Sequence, residues 1–413
     1  MTVVRYRTKP APVNRARIAR DRDLPSVAEA VLAKCPDDPV YCLRPQVLSA
    51  SAEQFTRLFP GDVLYAVKCN PEPSVLRSLW DGGLRHFDAA SLNEVALVRG
   101  LFPDADIHFM HPVKTRTAIR SAYNRFAVRD FVLDSMDELE KILEETGRAQ
   151  DLGLVVRLAL PKGNAVYDLS GKFGASPSDA VALLRACRRI ARRVGVSFHV
   201  GSQCMDPEAY TRALDLTASV LSAAEVEIDM LDVGGGFPVS YPDEVPPPLD
   251  DFIAAINRGV AALSLPAHCR LWCEPGRALV APGQSVVVRV TARKSGALYI
   301  NDGIYGALSD AGPSIGFRFP VRLIRANGSD HDGDLRAWEF FGPTCDSVDR
   351  MKGPFLLPAD TAEGDWIEIG QLGAYGTALR TGFNGFDQAL LIEVGDRPLL
   401  ETPGYQPAAM RAA

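Results

Sequence analysis

Between about residue 40 and residue 275 the chain repeats one pattern eight times: a short apolar run, then a stretch with helical periodicity. The runs fall at 63–67, 85–89, 107–110, 127–133, 153–160, 196–200, 230–233 and 270–273. Amphipathic segments such as 93–101, 136–146, 178–194, 207–224 and 249–263 lie between them. Helix-start signals agree: Ser135 precedes Met136-Asp137-Glu138, and Ser176-Pro177 opens the 178–194 segment. Eight strand–helix units in succession predict an α/β fold, a TIM (β/α)8 barrel ahead of a doubly wound sheet.

After Pro275 the rhythm changes. Strand patterns at 286–291, 297–300, 321–325, 335–340, 366–369 and 389–394 are separated by Gly, Pro and Asp turns, with no long helix. They predict a second, mostly antiparallel β domain. A length of 413 residues also favours two domains, since single cores rarely grow beyond about 300 residues. The expected division is an N-terminal arm and strand over 1–43 that joins the β domain, a barrel over 44–279, and the β domain over 280–413.

The totals narrow the function. A net charge of -6 argues against a nucleic-acid surface. No apolar run approaches the roughly 18–20 residues of a membrane span. The basic start (Arg5, Arg7, Lys9, Arg15, Arg17, Arg20) has no apolar core behind it, so it reads as a solvated arm rather than a secretory signal. Eight cysteines show neither a C-x-x-C pair nor zinc spacing. Reduced thiols in a cytoplasmic protein, with no metal site, are the expectation.

Candidate chemistry collects at the strand ends. The first barrel run delivers Lys68, walled by apolar neighbours in Tyr65-Ala66-Val67-Lys68-Cys69-Asn70. A lysine there can form a Schiff base with a carbonyl compound, or simply pack its stem while the ammonium reaches water. His199 closes the sixth run, where a packed core histidine is the plain alternative. Asp232-Val233-Gly234-Gly235-Gly236-Phe237-Pro238 ends the seventh; successive glycines let backbone N–H groups face an anion. Glu274-Pro275-Gly276-Arg277 ends the eighth. Its carboxylate and guanidinium suit a ligand with a basic nitrogen and a phosphate, or else form an exposed ion pair. Phosphates in TIM barrels settle at the loops after strands seven and eight. A lysine, a phosphate cradle and an acid for a pyridinium nitrogen together describe a pyridoxal 5'-phosphate site.

These motifs, with Phe87-Asp88-Ala89-Ala90-Ser91 and Glu94, His199-Val200-Gly201-Ser202, Gly342-Pro343-Thr344-Cys345-Asp346 and Gly373-Ala374-Tyr375, resemble the eukaryotic-type ornithine decarboxylases. The similarity runs in order over roughly residues 40 to 395. That family has the alanine-racemase-like fold and sits beside diaminopimelate and some arginine decarboxylases. The resemblance implies that Lys68 holds the cofactor covalently, that His199 lies against its ring, and that Glu274 pairs with its ring nitrogen. Ser202, Gly235, Gly236, Gly276, Arg277 and Tyr375 are the implied phosphate contacts, with Asp88, Glu94 and Arg157 close by. Cys345 is the implied catalytic partner of Lys68, returning a proton to Cα after carbon dioxide leaves. Asp346 is implied to hold the distal ammonium of a diamino acid. Tyr305 and Asp310 are the other expected substrate contacts, Asp310 either binding the amine or facing water. Because the family's Cys345-Asp346 loop enters a neighbouring subunit, a head-to-tail homodimer with shared sites is implied.

The implied reaction is decarboxylation of a basic diamino acid, L-ornithine to putrescine before L-lysine to cadaverine, as in polyamine biosynthesis. Asp346 in place of Glu favours a simple diamino acid over diaminopimelate, although His199-Val200-Gly201-Ser202-Gln203 resembles the diaminopimelate enzymes equally. A catalytically inactive regulatory relative should lose cofactor contacts, and Lys68, His199, Glu274, Arg277, Cys345 and Tyr375 are all present. The Cys345-Asp346 loop speaks against a racemase. A lysine-dependent aldolase leaves the glycines at 234–236 and Arg277 idle.

Overall fold

The computed structural model describes residues 24–161, 171–329 and 334–405, so the basic N-terminal arm lies outside the described residues. Strand β1 (Val40–Leu43) precedes the barrel and pairs elsewhere. Eight parallel strands then close on themselves: β2 (Asp62–Ala66), β3 (His86–Ala89), β4 (Asp106–Phe109), β5 (Asp130–Leu133), β6 (Gly153–Arg157), β7 (Arg193–Ser197), β8 (Met230–Asp232) and β9 (Arg270–Cys273). Val63 against Cys273 seals the ring.

Alternation along these strands fills two layers. Leu64, Met110, Val132, Val155, Met230 and Trp272 form one buried cluster. Their strand neighbours, including Tyr65, Phe131, Leu154, Leu231 and Cys273, pack into a larger cluster with the helices. That division is the period of two expected of strands buried on both faces. Ser91, Thr115, Ser135 and Ser176 accept from the backbone N–H three residues on and so fix where four of the helices begin.

One boundary differs from the sequence pattern. The helix expected over 178–194 spans Pro177–Arg188, and the chain is already in β7 at Arg193. The arginine-rich stretch between has helical propensity. Pairing wins: Gly153 faces Arg193 in register, and Arg193 reaches Asp130 at 2.6 Å.

Downstream lie β10 (Gln284–Lys294), β11 (Ala297–Ile300), β12 (Val321–Ile324), β13 (Leu335–Phe341), β14 (Arg350–Pro358), β15 (Trp366–Ile369) and β16 (Leu390–Glu393). They form a sheet in the order β12-β15-β10-β11-β13-β14, with β1 on β10 and β16 on β1. Pairing is antiparallel except between β11 and β13 and between β1 and β16. Strand β14 has no counterpart in the predicted set. Its Gly353-Pro354 pair reads as a turn, yet Gly353 takes φ +63 inside the strand and a register shift absorbs it.

The two parts meet through buried polar ties. Arg44, fully buried, binds Glu368 at 2.9 Å, Asp396 at 3.0 Å and the Ser285 hydroxyl at 3.0 Å. Asn70, next to the lysine turn, donates to the Gly373 carbonyl at 2.9 Å. A buried ion that loses its partner costs far more than an exposed one. Arg44→Ala removes a fully buried side chain and leaves Glu368 to Arg322 and the Ser285 hydroxyl, so it is expected to lower unfolding stability by about 2 kcal/mol, read as a fall in the urea midpoint with unchanged slope.

Candidate active site

The site is built at the carboxyl ends of the barrel strands. β2 stops at Ala66, and Val67–Cys69 form one 3-10 turn that carries Lys68 over the barrel mouth. The Ala66 N–H donates to the Pro275 carbonyl, tying this turn to the loop after β9. Register places Ala66 beside Asp88 at the end of β3, and Lys68 Nζ lies 2.8 Å from Asp88 Oδ2. Partial burial works against the ammonium, whose side chain is 44% exposed, but Asp88 and then Glu274 outweigh it and hold the lysine above its ordinary pKa. The other Asp88 oxygen is buried without a partner among the described residues. Glu94, in the first turn of the helix that Ser91 caps, accepts from the Ala90 N–H at 2.6 Å, and burial followed by repulsion from Asp88 pushes its carboxyl up.

After β8 the glycines let the loop pass close to two other site residues. A Cβ on Gly235 would stand 2.5 Å from the Glu274 carbonyl and 3.3 Å from His199 Nε2. Gly236 sits at φ +109, open to glycine and strained for other residues. The Gly234 N–H is already committed to Asp232 Oδ1 at 2.9 Å. Among the described residues no acceptor is found for the N–H groups of Gly235 and Gly236.

His199 lies two residues beyond β7, with Nδ1 accepting the Gly201 N–H at 3.0 Å. Burial, then the charges of Arg157 and Lys68, drives its pKa well below the usual range. The ring is thus neutral and carries its proton on Nε2. Glu274 is nearly buried, and its carboxyl is pushed well above the ordinary range by burial, then by Asp232 and Asp88. Burial raises Asp232 as well, to about 6. Three carboxylates thus share one dry region with Lys68 and Arg157 as the nearby cations. A protonated ring nitrogen entering beside Glu274 relieves that excess.

Arg277 is held from several sides. Nη1 donates to the Tyr241 hydroxyl and Nη2 to Asp310, each at 2.9 Å, while the rings of Phe317 and Tyr375 lie 5.1 Å from the guanidinium carbon. Nε is buried with no partner among the described residues. Asp310, expected to meet the substrate amine or water, is instead buried against Arg277, because a guanidinium closed in by two rings needs a carboxylate. Tyr375 takes φ +57, and its N–H donates to the Cys69 carbonyl at 2.9 Å. Ser202 and Arg157 are half-buried at the same mouth, and the Gly276 Cα faces the Cys69 side chain. Free N–H groups of two glycines, a free guanidinium N–H and an acid in need of a cation fit pyridoxal phosphate.

A second group gathers on loops of the β domain. Cys345 is exposed, and its backbone N–H and Sγ lie 3.1 and 3.2 Å from Asn384 Oδ1. The Tyr305 hydroxyl donates to Asp346 and holds that carboxyl below its usual pKa. No hydrogen bond or ion pair among the described residues joins Cys345 or Asp346 to Lys68, His199 or Glu274. Asp232, Tyr241 and Asn384 were not singled out from sequence. Asp232 stood inside a motif read for its glycines, and Asn384 within Phe383-Asn384-Gly385, a pattern that reads only as a turn.

A lysine and an acid held at the mouth of a closed parallel barrel, with a β domain packed on it, define a cofactor-dependent enzyme of the alanine-racemase-like fold. Residues 46–281 match the family model described as pyridoxal-dependent decarboxylase, pyridoxal binding domain. The lysine/ornithine decarboxylase of Selenomonas ruminantium is 31% identical over 345 residues, 81% of this chain and 84% of that one. Ornithine decarboxylase 2 of Drosophila melanogaster is 33% identical over 341 residues, 78% and 83% of the two chains. Among solved structures, the Vibrio vulnificus lysine/ornithine decarboxylase complexed with putrescine superposes with a TM-score of 0.76 at 33% identity, covering 89% of this chain and 96% of its own. The arginine decarboxylase of Paramecium bursaria Chlorella virus bound to agmatine gives 0.77 at 28% identity, covering 89% and 99%. The chain belongs to the pyridoxal-dependent decarboxylases and is an amino-acid decarboxylase that uses pyridoxal phosphate. Its relatives support a basic amino acid as substrate class.

The Asp310–Arg277 pair yields a test. Asp310→Ala leaves the guanidinium buried without a counter-charge, so the cofactor-free protein should lose about 3 kcal/mol of stability. Added pyridoxal phosphate should recover part of that loss, its phosphate supplying the missing charge, while the KM for diamino acid stays within about twofold. A KM raised tenfold with unaltered melting would return Asp310 to the substrate.

Proposed function

We propose that this decarboxylase acts on a simple diamino acid, L-ornithine to putrescine first and L-lysine to cadaverine second, as a head-to-tail homodimer in a reducing, cytoplasmic setting. Asp346 carries the substrate assignment. Its carboxyl is kept ionised by Tyr305 and has no cationic partner among the described residues, which suits a distal ammonium and opposes a second carboxylate. Ornithine and lysine differ by one methylene, worth about 1–3 kcal/mol at most. The eight unpaired cysteines support the reducing compartment, and no described helix is long and apolar enough to cross a membrane.

Pyridoxal phosphate supplies the electron sink that lets the bond to the carboxylate break. Lys68 would hold its aldehyde carbon, Glu274 its ring nitrogen, and His199 one face of the ring. Ser202, Gly235, Gly236, Gly276, Arg277 and Tyr375 would hold its phosphate, with Glu94 and Arg157 bordering the ring. Without the cofactor, Asp88 keeps a proton on Lys68 Nζ, a proton that nitrogen must release before it can hold the aldehyde carbon. Asp346, oriented by the Tyr305 hydroxyl, binds the ammonium end. Cys345 gives its Sγ proton to the substrate Cα after carbon dioxide leaves, and water reprotonates the thiolate.

The dimer rests on exposure. Cys345 lies open on a surface that also presents Val348, Leu379, Phe383 and Phe386, 41–50% exposed. A proton donor and an ammonium-binding acid on such a surface serve a reaction only if a second copy brings its barrel mouth against them.

Ornithine, lysine, arginine and diaminopimelate offered together should give putrescine as the main product, with cadaverine next; agmatine as the main product, or diaminopimelate as the amino acid chiefly consumed, would overturn the substrate reading. Lys68→Ala and Cys345→Ala subunits, each inactive or misrouting alone, should recover roughly a quarter of wild-type activity when refolded together in equal amounts, because half the dimers then carry one intact site. Absence of recovery would count against shared sites.

A further inference from the structure

We infer that Asn384 is the positioning residue for the Cys345 thiol, an inference that rests on Cys345 being the proton donor. The Asn384 Oδ1 accepts from the Cys345 backbone N–H at 3.1 Å and from its Sγ at 3.2 Å, so one carbonyl oxygen holds both ends of the residue. Asn384 stands at φ 54, ψ 9, within the short 3-10 turn Phe383–Gly385. Asparagine tolerates that left-handed conformation better than most residues.

The turn is itself located by the substrate end of the site. Its Phe383 ring packs 4.7 Å from the Tyr305 ring, the Thr381 N–H donates to the Tyr305 carbonyl at 2.9 Å, and the Phe383 N–H donates to Thr381 Oγ1 at 3.2 Å. Tyr305 in turn donates to Asp346. One short loop therefore fixes the thiol and, through Tyr305, the acid beside it. An uncharged acceptor keeps the proton on sulfur and limits its rotation about the Cα–Cβ bond.

The proposed consequence is fidelity. A thiol held in place delivers its proton to the substrate Cα, leaving a thiolate that water reprotonates. A proton taken up at the cofactor's former aldehyde carbon instead leads, after hydrolysis, to an amino aldehyde and the amine form of the cofactor. Asn384 sets the balance between these routes by placing the thiol, without touching the reacting atoms.

Two variants separate the amide from the backbone. Asn384→Gly keeps the left-handed turn and removes the acceptor; Asn384→Asp keeps both the turn and an acceptor oxygen. In the holoenzyme, iodoacetamide labelling of the Cys345 peptide, followed by mass spectrometry at fixed pH, should quicken about threefold in Asn384→Gly and remain at or below the wild-type rate in Asn384→Asp. With ornithine as substrate, the fraction of turnovers that ends with the cofactor in its amine form should rise at least about tenfold in Asn384→Gly and stay low in Asn384→Asp. Wild-type labelling and wild-type partition in Asn384→Gly would overturn the inference. If Cys345→Ala partitions like the wild type, the proton-donor reading is what fails, and the labelling rates then decide the Asn384 contact alone.

Discussion

Asp88, Asp232 and Glu274 come from the ends of three different strands and converge on a region from which water is largely excluded. Lys68 and Arg157 are the cations that oppose them. Like charges at short range in a low dielectric drive one another towards the neutral form. Burial pushes Glu274 far up, with repulsion from Asp232 and Asp88 adding to it, and burial takes Asp232 to about 6, while Asp88 and Glu274 keep the partly exposed Lys68 an ammonium. The imbalance makes the barrel mouth selective. It would suit a ligand that brings a basic nitrogen to Glu274 and leaves its anionic end to the separate N–H groups near Gly236 and Arg277, as proposed for the cofactor.

The Cys345-Asp346 loop, proposed to complete the chemistry, lies on a different scaffold. Asp349, buried, accepts from the Ile304 N–H at 2.9 Å with one oxygen and from the Thr344 N–H and hydroxyl at 3.1 and 2.7 Å with the other. Gly303 and Gly342 face it without side chains; a Cβ on either would come within 2.3 Å of the carboxylate. One acid thus fixes the spacing between the loop that presents Tyr305 and the loop that presents Cys345 and Asp346. Chemistry on loops is held accurately when buried polar groups brace them, and Asp349 is such a brace.

Much of this was readable from sequence because the barrel's signals are local. Eight apolar runs bounded by caps and turns leave few alternatives, and strand-end motifs place Lys68, Glu274 and Arg277 near one another as soon as the ring closes. The misses share a different character. Strand β14 hides behind Gly353-Pro354, whose turn propensity is overridden by pairing with β13. The start of β7 is decided by register with β6, not by the arginines before it. The pairing of Asp310 with Arg277 and the reach of Asn384 to Cys345 join residues 33 and 39 positions apart, and spacing along a chain carries no sign of either.

The seam between the two parts runs through the lysine turn. Cys69 receives the Tyr375 N–H, Asn70 donates to Gly373, and the Tyr65 hydroxyl closes on the Asn70 carbonyl at 3.0 Å. The barrel is therefore not a self-sufficient module with an ornament attached. Severed near residue 280, it would lose two of the bonds that shape the backbone just after Lys68. Exchange of one half between relatives would have to keep Asn70 and the backbone path of residues 373–375 for both bonds to form again.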